Sequence, residues 1–124
     1  MKLLLLSALS SLAAADVGTA TSYSPPYLPS QCGGNNPAIF PSSNLFVAAG
    51  DGIWDNGAAC DRQYRVRCIS AAQPRTCKGG EITVKVVDYK PGAGSTMVLS
   101  DTAFAALADT SKGASLINIE FEQV

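Results

Sequence analysis

Glu81-Ile-Thr-Val-Lys-Val-Val-Asp88 is the clearest strand in this sequence of 124 residues. Polar and apolar side chains alternate along it and most of its residues are β-branched, which favours the pleated, half-buried surface of a sheet. The stretch ends at Asp88, where the turn residues Pro91-Gly92-Ala93-Gly94 soon follow. Extended segments of this kind are therefore expected to dominate the fold.

Further extended segments lie on both sides of this strand. The apolar run 45–49 predicts either a strand or the start of a buried turn. Ser100 is expected to cap a short helix, whose apolar side chains recur at helical spacing. Several short strands, one short helix and many turns predict a small, closed or nearly closed β-barrel. The other strands that the pattern predicts are 18–23, 62–69, 97–99 and 115–122.

The first fifteen residues have the pattern of a secretory signal peptide. Lys2 supplies a positive start, residues 3–6 begin a short apolar run, and the alanines at 13–15 offer a cleavage site. The run is too short to span a bilayer. We therefore expect a signal peptide at 1–15, secretion of the protein, and a single domain at 16–124.

Four cysteines lie in the predicted mature chain, at positions 32, 60, 68 and 77. An even number in a short secreted protein indicates two disulfide bonds, and the residues alone leave all three pairings open. A zinc site is disfavoured because the chain has no histidine and no Cys-x-x-Cys pair. No other motif indicates a metal ion or an organic cofactor.

The charged residues disfavour some classes of partner. The chain carries 9 basic and 10 acidic side chains, and no run of lysine or arginine suits a nucleic acid. No second apolar stretch follows the first, so no membrane partner is expected. Arg62, Arg65 and Arg67 lie close together in sequence, which indicates either ordinary solvated charge or a face for an acidic ligand.

Several separate motifs follow one another along the whole predicted mature chain. They are Ala20-Thr-Ser-Tyr23, Val47-Ala-Ala49, Trp54-Asp-Asn-Gly-Ala-Ala-Cys60, Tyr64-Arg-Val-Arg-Cys68, Val84-Lys-Val-Val-Asp88, and Leu99-Ser100 with Ala103-Phe104 and Leu107-Ala108. On these motifs the chain is identified as an expansin-like domain, of the type shared with barwin-like proteins and small endoglucanases. The resemblance implies a mainly β fold, a six-stranded double-psi β-barrel with one or two short helices. The stretch from Val47 to Cys68 most resembles the plant natriuretic peptide-like branch, whose members are small, secreted and single-domain.

The resemblance also implies a disulfide pattern. In the family, cysteines at these positions pair Cys32 with Cys60 and Cys68 with Cys77. The second pair also makes sense from the residues, since it would close a short loop between two predicted strands. Relatives commonly have two more cysteines just after the position of Asp88. These are absent here, so one bridge is expected to be missing as a unit.

Catalysis is not the expected function, although Asp88 is one candidate for it. Asp88 resembles the acid of the related endoglucanases, but the base expected beside Tyr23 is absent, because Ser24 and Pro25 follow. An inverting glycosidase needs both carboxyl groups. The expansin His-Phe-Asp motif is absent too, and residues 96–98 (Thr-Met-Val) stand in its place. Two alternatives for Asp88 stay open: the single acid of a lytic transglycosylase, and a structural acceptor for backbone N–H groups of the turn.

Binding is the preferred hypothesis. Sugars are held by aromatic faces and hydrogen-bonding side chains in shallow grooves. By resemblance and residue type, the predicted ligand groove consists of Thr21, Tyr23, Asp88 and Tyr89. The expected partner is then a cell-wall polysaccharide, bound by a monomer. Trp54, which lies between two turns, has two alternatives: it offers a further aromatic face to a sugar or, as the preferred expectation, it is buried as a plug of the barrel.

Two other functions stay open from the sequence. A protein of the natriuretic peptide-like branch would act in the apoplast through a cell-surface protein. Arg62, Arg65 and Arg67 would then form the receptor-contact face. A secreted effector or protease inhibitor is compatible with the same scaffold, because a fold does not determine a function.

Overall fold

A computed structural model of the chain describes residues 15–124. The signal peptide expected at 1–15 therefore lies, except for its last residue, outside the described residues. Six strands and two short α-helices follow one another along the described part. The strands are β1 (Asp16–Tyr23), β2 (Phe46–Ala49), β3 (Gln63–Ser70), β4 (Ile82–Tyr89), β5 (Met97–Ser100) and β6 (Ile117–Gln123), and the helices are α1 (Asp51–Trp54) and α2 (Asp101–Leu107).

The six strands close into a barrel in the order β1-β5-β2-β4-β3-β6. β1 pairs with β5 and β2 pairs with β4 in parallel, while the other four pairings are antiparallel. Each of these strands has two neighbours, so the barrel satisfies their backbone groups on both sides. The predicted six-stranded, mainly β barrel is confirmed. The apolar run at 45–49, for which a buried turn was the alternative, forms β2.

Strand β3 shows how alternation in the sequence forms the core. Tyr64, Val66 and Cys68 are buried, whereas Arg65 and Arg67 point to solvent. Because successive side chains point to opposite faces of a strand, one apolar residue in two is enough to line the interior. Large, fully buried side chains of the other strands include Val47, Val86, Met97, Leu99, Ile117 and Ile119.

Helix α2 begins where the sequence predicts it. Ser100 Oγ accepts a hydrogen bond from the backbone N–H of Ala103 (3.2 Å), as an N-cap residue does. The same hydroxyl donates to the carbonyl oxygen of Asn44 (2.8 Å), which links the start of the helix to the chain just before β2. Phe104 and Leu107 are buried against the barrel, so the apolar face of the helix extends the core.

Two disulfide bonds hold the loops to the barrel. The structure joins Cys32 to Cys60 and Cys68 to Cys77, the pairs that the family resemblance implies. The first ties the long loop between β1 and β2 to the chain before β3, and the second closes the short loop after β3. A disulfide in a small domain contributes about 2–4 kcal/mol of stability, chiefly by restricting the unfolded chain.

Gly50 marks a very close approach of two backbone segments. It is buried between β2 and α1, and its N–H donates to the carbonyl oxygen of Thr96 (3.0 Å). A Cβ at this position would lie 2.2 Å from the carbonyl oxygen of Ser95 and 2.8 Å from that of Thr96. Both atoms belong to the backbone just before β5, so neither can move aside as a side-chain end could. Only glycine therefore allows these two segments to meet here.

We predict that Gly50→Ala destabilises the protein by about 3 kcal/mol, the upper end of the usual cost of overpacking, because its methyl group would meet fixed backbone. The measurement is the free energy of unfolding in urea, with the disulfides intact. Gly52→Ala is the matched control. Its Cβ would meet no atom within 4 Å, and alanine favours helix α1, so its stability should be unchanged or slightly higher. Equal stability of the two variants would contradict the close approach.

Candidate functional site

Four residues on adjacent strands form a row on the outer face of the barrel. Thr21 of β1 is paired with Val98 of β5. Val98 is paired in turn with Ala48 of β2, and Ala48 with Asp88 of β4. The sequence neighbour Ala20 points into the core, so the row faces outward. Three strand spacings, roughly 14 Å, separate its two ends. We call this row the groove floor.

A β-bulge gives Asp88 its outward direction. The pairing of β2 with β4 shifts register between Val47 and Ala48. Before the shift, Val86 pairs with Val47 and faces the core. After it, Asp88 pairs with Ala48. Strict alternation from Val86 would have turned Asp88 into the core as well, so the extra residue places the carboxylate outside.

The Asp88 carboxylate is nearly buried and partly bonded to backbone groups. The residue is 6% exposed, and its Oδ1 accepts hydrogen bonds from the N–H groups of Gln31 (2.9 Å) and Tyr89 (2.8 Å). These bonds fix the long loop between β1 and β2 to the end of β4, which is the kind of structural role that the sequence left open. Oδ2 takes part in neither bond, so a second acceptor is left for a ligand.

Tyr23 lies two residues after Thr21 and therefore on the same face of β1. Its hydroxyl oxygen is buried and has no hydrogen-bond partner among the described residues. Burial, and to a lesser degree the negative charge of Asp88, raises the pKa of the Tyr23 phenol well above its ordinary value. The hydroxyl is therefore a neutral donor within electrostatic reach of a carboxylate.

Lys90 contacts Tyr23, and Ser95 contacts Thr21. Lys90 Nζ lies 4.9 Å from the centre of the Tyr23 ring, a cation–π contact. Thr21 Oγ1 is 2.9 Å from Ser95 Oγ, which donates its own hydrogen to the carbonyl oxygen of Met97 (3.1 Å). Because a hydroxyl has one hydrogen, Thr21 is the donor to Ser95 and keeps its own oxygen as an acceptor.

Tyr89 stacks on Trp54 where β4 ends. The two rings are nearly parallel, with an angle of 3° and centroids 4.6 Å apart. Trp54 is half-buried at the end of α1. The prediction that it plugs the barrel is therefore wrong, because aliphatic side chains of the strands already fill the interior. The Tyr89 hydroxyl donates to the carboxylate of Asp51, which also accepts the N–H of Gly92 (2.9 Å).

The bond between Tyr89 and Asp51 shifts the pKa of both groups. The tyrosine hydroxyl, followed by the Gly92 N–H, holds the pKa of the Asp51 carboxyl below its ordinary value. The hydrogen bond to Asp51 in turn raises the pKa of the Tyr89 phenol. Both side chains are open to solvent, so the main consequence is orientation. The Tyr89 ring is held by the indole on its face and by the carboxylate at its tip.

The arginines of the alternative receptor-contact face lie on a different part of the barrel. Arg65 and Arg67 point outward from β3, which does not contribute to the groove floor. Each of the three arginines forms an ion pair with a neighbouring carboxylate, so the local charge is balanced within the chain. The pairs are Arg62 with Asp55, Arg65 with Glu122, and Arg67 with Glu120.

Two further properties of the described residues concern metal ions and membranes. Between residues 15 and 124, no group of three or more histidine, cysteine, aspartate or glutamate side chains is arranged to hold a metal ion. No helix in that range has the length and apolar character needed to cross a bilayer.

Sequence reasoning did not assign Asp51, Lys90 or Ser95 to the groove. Lys90 comes directly after β4, Asp51 is the first residue of α1, and Ser95 lies in the turn before β5; none of the three belongs to a motif that carries the resemblance. Their positions at the ends of strands could have identified them. Ser95 comes just before β5, and Asp51 just after β2. Polar residues at the ends of strands that neighbour a predicted groove are candidates to line it.

Known proteins of related sequence match most of this chain. A family model described as "Lytic transglycolase" matches residues 47–120. An EG45-like domain containing protein of Citrus jambhiri is 42% identical over 120 residues, which cover 93% of this chain and 86% of that protein. Expansin-B3 of Oryza sativa subsp. japonica is 31% identical over 100 residues, and the matched part covers 75% of this chain but only 36% of that protein.

A solved structure is similar over most of the barrel. It is a mutant Clavibacter michiganensis expansin in complex with cellohexaose, at 26% identity and with a TM-score of 0.68. The match covers 89% of this chain and 50% of that chain. The chain therefore corresponds to about half of that expansin.

We predict that Asp51→Asn lowers the pKa of the Tyr89 phenol, because the hydrogen bond to the carboxylate is the main cause of its rise. The measurement is an alkaline absorbance titration of tyrosinate, with Tyr89→Phe as the reference that identifies this one phenol. Asp55→Asn is the control, since it removes the same charge from a nearby exposed acid.

The direction of the pH dependence follows from the raised pKa. A phenol with a raised pKa stabilises the folded state below its ordinary pKa, and this contribution is lost as the pH rises through the folded value. In the wild type, the stabilisation of the folded state by Tyr89 should therefore be lost at a higher pH than in Asp51→Asn. The hydrogen bond would be refuted if Asp51→Asn and Asp55→Asn gave the same titration of Tyr89.

Proposed function

Because this chain belongs to the EG45-like, expansin-related family of double-psi β-barrel proteins, we propose that it is a secreted protein that binds a cell-wall polysaccharide without cleaving it. The proposed site is the groove whose floor ends at Thr21 and Asp88, with Tyr23 on the same face of β1. Tyr89 pairs with the core-facing Ala49, so alternation along β4 directs it away from this face, and in the proposal it flanks the groove only at the end of β4. The protein acts as a monomer in this proposal, since one barrel supplies all four residues.

One observation carries the proposal, the unpartnered hydroxyl of Tyr23. A buried polar group without a partner costs about 1–3 kcal/mol, and in native proteins such a group needs an explanation, such as a ligand or bound water. A sugar hydroxyl can both donate and accept a hydrogen bond. In the proposed complex the Tyr23 side chain, which is only partly buried as a whole, moves so that its hydroxyl reaches the ligand. The sugar hydroxyl then accepts from Tyr23 and donates to Asp88 Oδ2, so that one ligand group satisfies both side chains.

The polar groups of the proposed site stand at and beside the ends of the groove floor. Val98 and Ala48, between Thr21 and Asp88, have short apolar side chains that are almost completely covered, so they support the residues around them and do not contact the ligand. The hydrogen-bonding groups of Thr21, Tyr23 and Asp88 then hold the ligand, and such polar groups fix the orientation of a bound molecule in small-ligand sites. The stacked aromatic pair at the end of β4 offers an apolar face beyond the floor.

The same floor supports binding without hydrolysis. An inverting glycosidase holds two carboxyl groups about 6.5–9.5 Å apart around a water molecule. The floor positions beside Asp88 are Ala48 and Val98, neither of which can serve as the second carboxyl group. Asp51 accepts two hydrogen bonds of its own at the end of β4. We therefore assign Asp88 the task of orienting a sugar hydroxyl.

The relatives and the sequence support the class of ligand and its location. The similar Clavibacter michiganensis expansin forms a complex with cellohexaose, a β-linked glucose oligomer. This supports a neutral β-linked glucan as the ligand here. The secretory pattern at 1–15 and the two disulfide bonds support an extracellular location, where disulfides persist.

We predict that Tyr23→Phe weakens polysaccharide binding about fivefold, the equivalent of one hydrogen bond of ~1 kcal/mol, while the free energy of unfolding stays unchanged or rises. Removing an unpartnered hydroxyl takes away no contact of the free protein. Affinity is measured with the oxidised mature domain on cellulose, xylan and chitin, and by calorimetry with cellohexaose. Arg67→Gln, on the other face, should leave binding unchanged. An undiminished affinity of Tyr23→Phe would remove the central support of the proposal.

We also predict that Asp88→Asn weakens binding about tenfold, because a hydrogen bond to a charged group contributes ~1.5–3 kcal/mol. Neither wild type nor this variant should release soluble sugar from cellulose, xylan, chitin or peptidoglycan. Release that depends on Asp88 would make the protein a lytic enzyme instead. If wild type bound none of these polymers, the groove would not be a polysaccharide site.

A further inference from the structure

A second concave site lies beside Tyr23, at the ends of β1 and β5. Its wall is an aromatic cluster of Tyr27, Phe40 and Phe46, whose ring centroids are 4.7–6.2 Å apart. Tyr27 also contacts the Tyr23 ring edge to face, at 4.8 Å. The cavity has a volume of about 370 Å³, which is within the range of small-ligand sites. We call this cavity the aromatic pocket.

The rim of the aromatic pocket is polar. Asp101 and Thr102 line it from the start of α2, and Asn44 lines it from the chain before β2. All three residues are exposed. Asp101 Oδ1 accepts a hydrogen bond from the hydroxyl of Ser24 (3.1 Å), and none of the ion pairs in residues 15–124 includes this carboxylate. A carboxylate, a hydroxyl and an amide therefore surround an aromatic wall.

Hydrogen bonds connect the wall of the pocket to its rim. The Tyr27 hydroxyl donates to the carbonyl oxygen of Tyr23 (3.1 Å) and accepts from the backbone N–H of Asp101 (3.2 Å). On the other side, the Ser100 hydroxyl donates to the carbonyl oxygen of Asn44 (2.8 Å). The pocket is therefore formed in the unliganded protein, as most small-ligand sites are.

We infer that the aromatic pocket is a second sugar subsite, which holds one ring of the polysaccharide chain that lies in the groove. This inference rests on the proposed function and adds the path of the chain, from the groove past Tyr23 into the pocket. The ring faces of Tyr27 and Phe40 pack against the C–H face of a sugar. Asp101, Thr102 and the other polar groups of the rim bond its hydroxyls. Tyr23 belongs to both sites, because its ring meets the pocket wall and its hydroxyl serves the groove.

The chemistry of the pocket selects a neutral sugar. Asp101 is the one charged side chain among the residues that line it, so an acidic sugar would be repelled. A peptide strand would need backbone partners, but two of the first three N–H groups of α2 at this rim are already bonded. The N–H of Asp101 donates to Tyr27, and the N–H of Ala103 donates to Ser100. Side-chain oxygens and ring faces remain, which is what a sugar requires.

The test compares a short and a long ligand, a β-linked glucose trimer and the hexamer cellohexaose, by calorimetry. Wild type should bind the hexamer more tightly because only the longer chain occupies both sites. Phe40→Leu and Thr102→Val should each lower hexamer affinity about three- to tenfold and leave trimer affinity unchanged. Phe40→Leu removes a ring face and keeps an apolar side chain. Thr102→Val removes one exposed hydroxyl and nearly keeps the shape of the side chain. Because two variants are tested, a folding defect in one of them does not decide the result.

Two controls separate this inference from the proposed function. Tyr23→Phe should weaken trimer and hexamer alike, because its hydroxyl serves the groove. Glu81→Gln removes one exposed charge far from the pocket and should change neither affinity. If the hexamer kept its full advantage in both pocket variants, the subsite would be refuted and the groove would stand. If wild type bound neither oligomer, both would be refuted. Tighter binding of polygalacturonate than of glucan would refute the assignment to a neutral sugar.

Discussion

The parallel pairing of β2 with β4 is the contact on which the rest of the structure depends. β2 is only four residues long, yet it joins β5 to β4 and so closes the barrel. The register shift inside this pairing turns Asp88 outward. Beside the bulge, the Val87 carbonyl accepts the N–H of Cys32 (3.2 Å), and Asp88 accepts the N–H of Gln31. One irregular strand pair therefore anchors the long loop and supplies the carboxylate of the groove.

Much of the fold could be predicted because its longer strands carry their own signal. In β3 and β4, eight residues of alternating character identify both the strand and its buried face. The four-residue strands β2 and β5 are buried throughout, so no alternation separates them from a buried turn. Strand order and the bulge depend on pairings between distant residues, which local patterns do not encode. The barrel topology came from the resemblance and not from periodicity.

The candidate site was less predictable than the fold, for reasons that particular residues make clear. Thr21, Tyr23 and Asp88 were named from a family resemblance, and in the structure they lie on one face of the barrel. β1 carries the first two and β4 the third, with β5 and β2 between these strands. Trp54 was misplaced because a large apolar residue between turns resembles a core residue. Its actual partner, Tyr89, is 35 positions away in the printed sequence, and no local pattern connects the two.

Arg65 and Arg67 also show what could not be predicted from the sequence alone. Arg65 and Arg67 are directly opposite Glu122 and Glu120 in the pairing of β3 with β6. Cross-strand pairs of opposite charge stabilise a sheet by fractions of a kcal/mol, and exposed ion pairs contribute about 0–1 kcal/mol. The cluster in β3 therefore has a local structural explanation once β6 is placed beside it. From the sequence alone, its partners could not be seen, and a ligand face stayed open beside the preferred interpretation as ordinary solvated charge.

The residues of the proposed groove support the fold and, in the proposal, also contact a ligand. Asp88 holds a loop through Oδ1 and offers Oδ2, while Thr21 bonds Ser95 and keeps an acceptor. Loss of such a side chain alters the free protein as well as the complex, so reduced binding alone does not identify its role. The Tyr23 hydroxyl differs, because the free protein gives it no partner. A buried donor that the fold leaves unbonded needs an explanation, and the proposed sugar hydroxyl supplies one, so the proposed groove depends most on this hydroxyl.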